Sequence, residues 1–465
     1  MTSPLARSTL RTLLAALLAG CLTAPAFAQT PSDLDVLREQ IRKLDEKLKS
    51  LEASMKKKEE ADTATAKKQP KINIADGRVE IQSADGANSI RLRAYVHADS
   101  RWYFGDATAA NDTYILRRAR VMLEGKFNDI FSYMVMPEFG GTAVALLDAR
   151  VMAAFSPAFQ VTAGKFKTPV GLELLQSLTV SGMIERSVVT GLVANRDLGV
   201  RFNGLLFDKR LDYTVAFVNG QPDGASSNNG ADFDNHKTVV VRLFAQPFAE
   251  KKDSPFRGLG FGVSASVGDY ATAAGRSAGY RSDGQQTIFS YRAATSANGR
   301  GVTYSPQGYF YRGPFGVLAE YVSSSVELVN GANARKVRNT GWNLTTSYVL
   351  TGEDVSYLGG VTPKAPFKLA TKSWGAFQLA ARVAVLDFDD RNFAGGAASF
   401  ASSANSATKV NTYGVGLNWF LNKTVRFSAN LTSNEFILAP GAAPAAGSVL
   451  TDRETALAAR VQLVF

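Results

Sequence analysis

The chain of 465 residues is poor in the side chains that most enzymes and metal sites use. It has one cysteine, Cys21, and two histidines, His97 and His236. Beyond residue 28 there is no thiol, which excludes disulfides and cysteine-based metal sites there. No HExxH pattern occurs and histidines are scarce; neither an enzyme, a cofactor nor a metal centre is expected. Long apolar runs are also missing. No internal stretch of 18 residues lacks charge, which excludes membrane-spanning helices and leaves a closed barrel as the only way to cross a bilayer. The mean hydropathy of −0.06 fits a barrel, whose apolar residues alternate with polar ones. Acidic residues are outnumbered by basic ones, 41 to 52, for a net charge of +11. Residues 71–465 hold 40 basic against 32 acidic side chains. Such an excess suits an anion path or anionic lipid, and equally a scattered solvated surface. No nucleic-acid partner is expected.

The N-terminus has the pattern of an export leader over residues 1–28. Arg7 and Arg11 precede the apolar run Leu13–Ala19, and Ala26-Phe27-Ala28 is a small-x-small cleavage site. A second cleavage reading stays open: Leu18-Ala19-Gly20-Cys21 resembles a lipoprotein box that would leave Cys21 lipidated. Cleavage after Ala28 is favoured because a barrel needs no lipid anchor.

Residues 29–70 form a separate segment. Leu34, Leu37, Ile41, Leu44, Leu48, Leu51 and Met55 recur at spacings of three and four, the seam of an α-helical coiled coil. Three heptads are marginal alone, so the coil forms where something else gathers chains. The alternative is one amphipathic helix lying on the barrel mouth. Residues 56–69 read as a linker, ended by Pro70.

From Lys71 the period changes to two. Along Arg91–Trp102, Leu92, Ala94, Val96, Ala98 and Trp102 share one face, and Arg91, Arg93, Tyr95, His97, Asp99 and Arg101 share the other. Lipid outside and water inside would produce this, and so would a soluble sandwich with the faces reversed. The connections decide. Short turns such as Asn128-Asp129 and Asp208-Lys209-Arg210 alternate with long polar loops at 167–196, 219–236, 270–301, 327–339, 387–408 and 434–454. That alternation belongs to outer-membrane barrels, with the turns on the periplasmic side. Sixteen strands are predicted between residues 90 and 465, with one long connection, 351–373, where a short turn is due. The chain ends on an alternating strand with a terminal phenylalanine, Phe465, an ending that barrel-assembly machinery recognises in many outer-membrane proteins. The expected fold is all-β: a 16-stranded antiparallel transmembrane barrel over 71–465, in the Gram-negative outer membrane, preceded by a periplasmic coiled coil.

Four segments resemble the phosphate-selective porin O and P family. They are Leu116-Arg117-Arg118-Ala119-Arg120-Val121, Gly164-Lys165-Phe166-Lys167-Thr168-Pro169-Val170-Gly171, Asn195-Arg196-Asp197-Leu198-Gly199-Val200 and Tyr348-Val349-Leu350-Thr351-Gly352-Glu353. The resemblance covers roughly the whole barrel. It implies a homotrimer, a third loop folded into each pore, and arginines and lysines along a route for anions such as phosphate or pyrophosphate.

A pore selects anions by fixing cations on its wall at a narrow point, and arginine suits phosphate because its planar fork donates two bonds. Alternation puts Arg91, Arg93 and Arg101 on the polar face of the first strand and Arg118, Arg120 and Lys126 on that of the second. Arg117 and Arg118 cannot both face inward on a regular strand; alternation favours Arg118, while the family resemblance keeps both. Lys167, Arg186 and Arg196 belong to the loop expected to narrow the pore, Lys165 lies in the segment that enters it, and Arg150, Arg201, Arg242 and Arg382 extend the wall. Asp99, Glu124 and Glu185 are the carboxylates that could neutralise them. The function expected is passive diffusion of small anions through a basic constriction. The alternatives are a general-diffusion porin, or a tether whose coiled coil contacts the cell wall.

Overall fold

The computed structural model describes residues 31–66, 69–75, 78–105, 110–230, 232–272, 279–439, 442, 450 and 452–465. The expected leader, with Cys21, lies outside them. The chain divides into two units, Met1–Gln69 and Pro70–Phe465.

In the first unit a single helix, α1, spans Pro31–Ala66. It runs through most of the segment expected to be a linker. The reason is composition: Lys, Glu and Ala from Lys56 to Ala66 are strong helix formers with no Gly or Pro among them. Pairs one turn apart, such as Lys49–Asp45 at 2.8 Å, support its exposed surface. All seven seam residues face outward in the single chain, from Leu34 at 46 % exposed to Met55 at 69 %.

The second unit is a closed barrel of sixteen antiparallel strands. In chain order they are β1 (Ser89–Phe104), β2 (Thr113–Phe127), β3 (Phe131–Glu138), β4 (Ala145–Ser156), β5 (Phe159–Lys167), β6 (Arg196–Leu206), β7 (Leu211–Val218) and β8 (Thr238–Ala245). There follow β9 (Leu259–Ala271), β10 (Ser296–Arg312), β11 (Phe315–Asn330), β12 (Asn333–Val349), β13 (Ala376–Asp387), β14 (Ala407–Phe420), β15 (Val425–Leu438) and β16 (Arg453–Val464). Each pairs with its chain neighbours, and β16 returns to β1 with Leu457 opposite Trp102 and Leu463 opposite Val96. The terminal Phe465 joins the closure, donating to the Ala94 carbonyl at 2.8 Å.

Burial settles which way the alternation faces. Arg382, Arg426 and Arg460 are among the largest fully buried side chains, while Leu116, Phe217, Leu243, Phe261, Val415 and Leu431 are exposed. A soluble sandwich would show the reverse; this barrel faces lipid with its apolar residues and keeps its charges inside. The tight turns sit where expected. Asn128 and Asp129 both adopt positive φ, 51° and 57°, the geometry a two-residue hairpin requires.

Three elements differ from expectation. The loop expected at 327–339 is a short turn, because β11 and β12 stay paired from Phe315↔Tyr348 to Asn330↔Asn333. Strand β10 begins at Ser296, inside the loop expected at 270–301, with a register shift between Ala297 and Gly301. A hairpin not foreseen, 71–75 with 78–82, pairs its second strand with the start of β1. In the first two of these stretches polar residues hid the strand character that the pairing partner supplies. The odd connection 351–373 carries a small pair, Val355–Ser356 with Gly360–Val361.

The loop 168–195 folds inward. Its Val170, Leu174, Val188, Val189, Leu192 and Val193 are buried with Tyr280, Ile288 and Phe289 of the β9–β10 loop and Phe388 and Ala401 of the β13–β14 loop. This apolar packing includes Val218, Val240, Leu386, Val410 and Phe436, so it lines the outer half of the wall from β7 to β15.

Candidate functional site

The opposite wall, β1 to β6 together with β15 and β16, carries the charges. On β2 the pairing shifts between His97↔Arg118 and Ala98↔Leu116, which leaves Arg117 as the extra residue of a β-bulge. A bulge lets two successive side chains point to one face. So both arginines turn inward: Arg117 Nε lies 2.8 Å and Arg118 Nη2 3.1 Å from the Glu185 carboxylate on the inward loop. Simple alternation could not hold both.

Glu185 is shared further. Arg101 of β1 and Arg460 of β16 each approach it to 3.2 Å. Arg460 also clasps Asp99 with two bonds, 2.7 and 2.8 Å, and Asp99 lies 3.6 Å from Arg101. Burial by itself would raise Glu185, but Arg118, Arg117 and Arg460 outweigh it and hold the carboxyl well below its ordinary range. Breaking one such buried pair costs about 3–5 kcal/mol because the remaining charge stays buried.

The loop is fastened by its neighbours as well. Glu173 accepts from Arg382 and from the Ser187 amide, and Arg382 also donates to Asp283 at 3.2 Å. Lys167 Nζ donates to the carbonyls of Leu174, Leu175 and Gln176, and Arg186 to those of Glu173, Leu174 and Gln176. An irregular loop inside a barrel leaves carbonyls without ladder partners, and these two cations satisfy them. Lys165 donates to the Ser227 carbonyl and Asn229, and Arg196 to Asp148 at 3.1 Å. Gly164, ahead of Lys165, has φ 119°, and a Cβ there would stand 2.2 Å from the Ala149 carbonyl oxygen. That close approach explains a glycine at the start of this motif.

Nearer the short turns the balance changes. Arg91, Lys126, Arg150 and Arg201 line a lumen cleft of about 290 Å³ in which Glu124 is the one carboxylate. Glu124 accepts from Arg93 at 3.3 Å, and Arg91 donates to Glu80 of the 71–82 hairpin at 2.8 Å. Arg201 donates to Thr162 and lies over the Phe166 ring, its Nε without a partner. Between the two stations Arg120 donates to Glu138 and to the Tyr95 hydroxyl, both at 2.5 Å.

Of the residues singled out from sequence, then, Arg117 and Arg118 meet at Glu185, and Arg91 and Lys126 line the cleft, with Arg93 on its carboxylate. Arg120 stands between, Lys165 and Arg196 are paired beside the inward loop, and Lys167 and Arg186 hold that loop. Arg460 and Arg426 were not singled out. Arg426 is fully buried, among the described residues with no carboxylate beside it, and donates to the Ser181 and Leu178 carbonyls and Gln462. Their signal was present in the sequence: each sits on the polar parity of its strand, opposite Asp99 and Gln462 in neighbouring strands. Among the described residues no group of acids, histidines or cysteines could hold a metal.

Known proteins share this architecture. The barrel is similar to the outer membrane channel DcaP of Acinetobacter baumannii, with a TM-score of 0.52 and 11 % identity over 83 % of this chain and 99 % of that one. It is similar to an anion-selective porin from Comamonas acidovorans, with a TM-score of 0.50 and 11 % identity over 81 % of this chain and all of that one. At those identities the likeness is one of fold. In sequence, 123 residues are 27 % identical to Porin O of Pseudomonas aeruginosa, a match covering 26 % of this chain and 27 % of that relative. The family model for phosphate-selective porin O and P matches residues 90–465, from the second residue of β1 to the last residue of the chain. With the closed barrel, the inward loop and the charged lumen, that match makes this chain an outer-membrane porin of the phosphate-selective porin O and P family.

Proposed function

We propose that the protein passes small anions by diffusion along the basic wall formed by β1 to β6, and that this wall gives it a preference for anions over cations. The observation that carries the reading is the periplasmic cleft, whose lining holds four cations against Glu124, with Glu80 paired to Arg91 at its edge. An anion there gains from several cations without being gripped by any single one, which a conducting path needs. Phosphate or pyrophosphate fits the arginine forks. The Comamonas acidovorans neighbour is itself described as anion-selective, which supports the same reading. The test is the zero-current potential of the purified protein in a planar bilayer under a KCl gradient.

We further propose that three copies assemble and that their α1 helices pair along the Leu34–Met55 seam in the periplasm. The outward-facing seam favours this, since seven apolar side chains at heptad spacing are covered by a second and third copy at no cost in charge.

A further inference from the structure

We infer that Glu185 is a tethered stand-in for the permeating anion: its carboxylate occupies the cluster of Arg101, Arg117, Arg118 and Arg460, and a small oxyanion passes this station by exchanging with it. The inference rests on the anion-channel reading above and adds the residue that sets how tightly the narrow station binds.

Three observations carry it. The first is the geometry. Four guanidiniums from three strands converge on one carboxylate at 2.8–3.2 Å. That is the arrangement an oxyanion with several acceptor oxygens would seek. The second is spare capacity. Asp99 is the other carboxylate in the cluster, so cations outnumber anions there. Among the described residues, Arg101 Nε and Arg118 Nε and Nη1 are buried with no partner. Buried donors without acceptors are costly, and an incoming oxyanion supplies those acceptors.

The third observation is that the loop is also held by bonds that do not involve this carboxylate. Its backbone is pinned from the wall. Arg426 donates to the Ser181 carbonyl at 2.9 Å, Asn418 to that of Gly182 at 2.8 Å, and Arg460 to that of Ile184 at 2.7 Å. Arg382 donates to the Glu185 carbonyl itself at 2.9 Å, and Asn430 accepts from the Ile184 amide at 2.5 Å. The side chain can therefore swing off the arginines while its own main chain stays fixed. A negative charge needed only to anchor the loop would be redundant; one that competes with the solute is not.

Competition has a readable consequence. A site occupied most of the time by its own carboxylate binds a solute with an affinity reduced by the unoccupied fraction. The experiment compares wild type and Glu185→Gln in planar bilayers, with chloride carrying the current and inorganic phosphate titrated in as the blocker. The amide keeps the shape and removes the charge. The half-blocking phosphate concentration is expected to fall by at least about tenfold in the variant. An unchanged half-block in channels of normal conductance overturns the inference. Should Glu185→Gln fail to insert, Glu185→Asp carries the test. A carboxylate one methylene shorter reaches less far from the same fixed main chain toward Arg117 and Arg118, so a lower half-block supports competition and an unchanged one overturns it. A wild-type channel with a cation-selective potential would sink the anion-channel reading itself; an anion-selective wild type with an indifferent Glu185→Gln would sink this inference alone.

Discussion

Lys126 and Arg150 offer the cleanest perturbation of the basic wall. Both line the periplasmic cleft, and among the described residues neither has an ion-pair partner. Replacing both with alanine therefore removes two lumen charges without stranding a buried carboxylate, as removing Arg460 from Asp99 would. The magnitude follows from Coulomb's law. A unit charge roughly 7 Å from a permeating ion in water is worth about 0.6 kcal/mol. Screening at about 0.1 M salt cuts that by roughly half. Each charge acts on both sides of the selectivity ratio, helping anions and opposing cations. Two of them thus shift the chloride-to-potassium ratio by about 1 kcal/mol, or roughly fivefold. The assay is the reversal potential under a KCl gradient, with wild type and variant measured at the same salt. The shift should shrink as ionic strength rises. A reversal potential indifferent to the double substitution would refute the view that this cleft sets the preference.

Two further outcomes are expected. Asp223, in the loop between β7 and β8, is pushed up to about 7 by burial, although Ser324 and Tyr280 both donate to it at 2.8 Å and oppose the rise. A carboxyl raised on folding lends its stability at low pH and loses it as pH climbs through that value. The folded barrel should therefore resist heat less as pH rises through about 7, and Asp223→Asn should flatten that slope; gel mobility after graded heating reads both. Removing residues 29–69 takes away α1 and should leave single-channel conductance and ion preference as in wild type, while lowering the temperature at which trimers separate. Loss of conductance would place the helix in the conduction path.

How far the sequence anticipates the structure depends on what each residue's role requires. The sixteen strands are legible because an alternating face is a local property. At the β11–β12 hairpin, strand character past Glu327 comes from pairing with Lys336 and Arg335, so polar residues there read as a loop. The bulge at Arg117 is a matter of register between β1 and β2, invisible to parity within β2 alone. Lys167 and Arg186 show the same limit from another side. Sequence position put both in the narrowing loop; Lys167 instead ends β5 and Arg186 lies in the inward loop, and both supply the donors that the irregular loop's carbonyls need. Glu185 stands out in sequence only as one carboxylate among several. What distinguishes it is that four arginines from distant strands reach it, a fact of three-dimensional closure.

The central claim is that the lumen prefers anions because its β1-to-β6 wall presents more positive than negative charge to the path. The zero-current potential of the purified wild-type protein under a KCl gradient tests it most directly. The account predicts the anion-selective sign, weakening as salt screens the wall. A potential of cation-selective sign, or none at low salt, would contradict it.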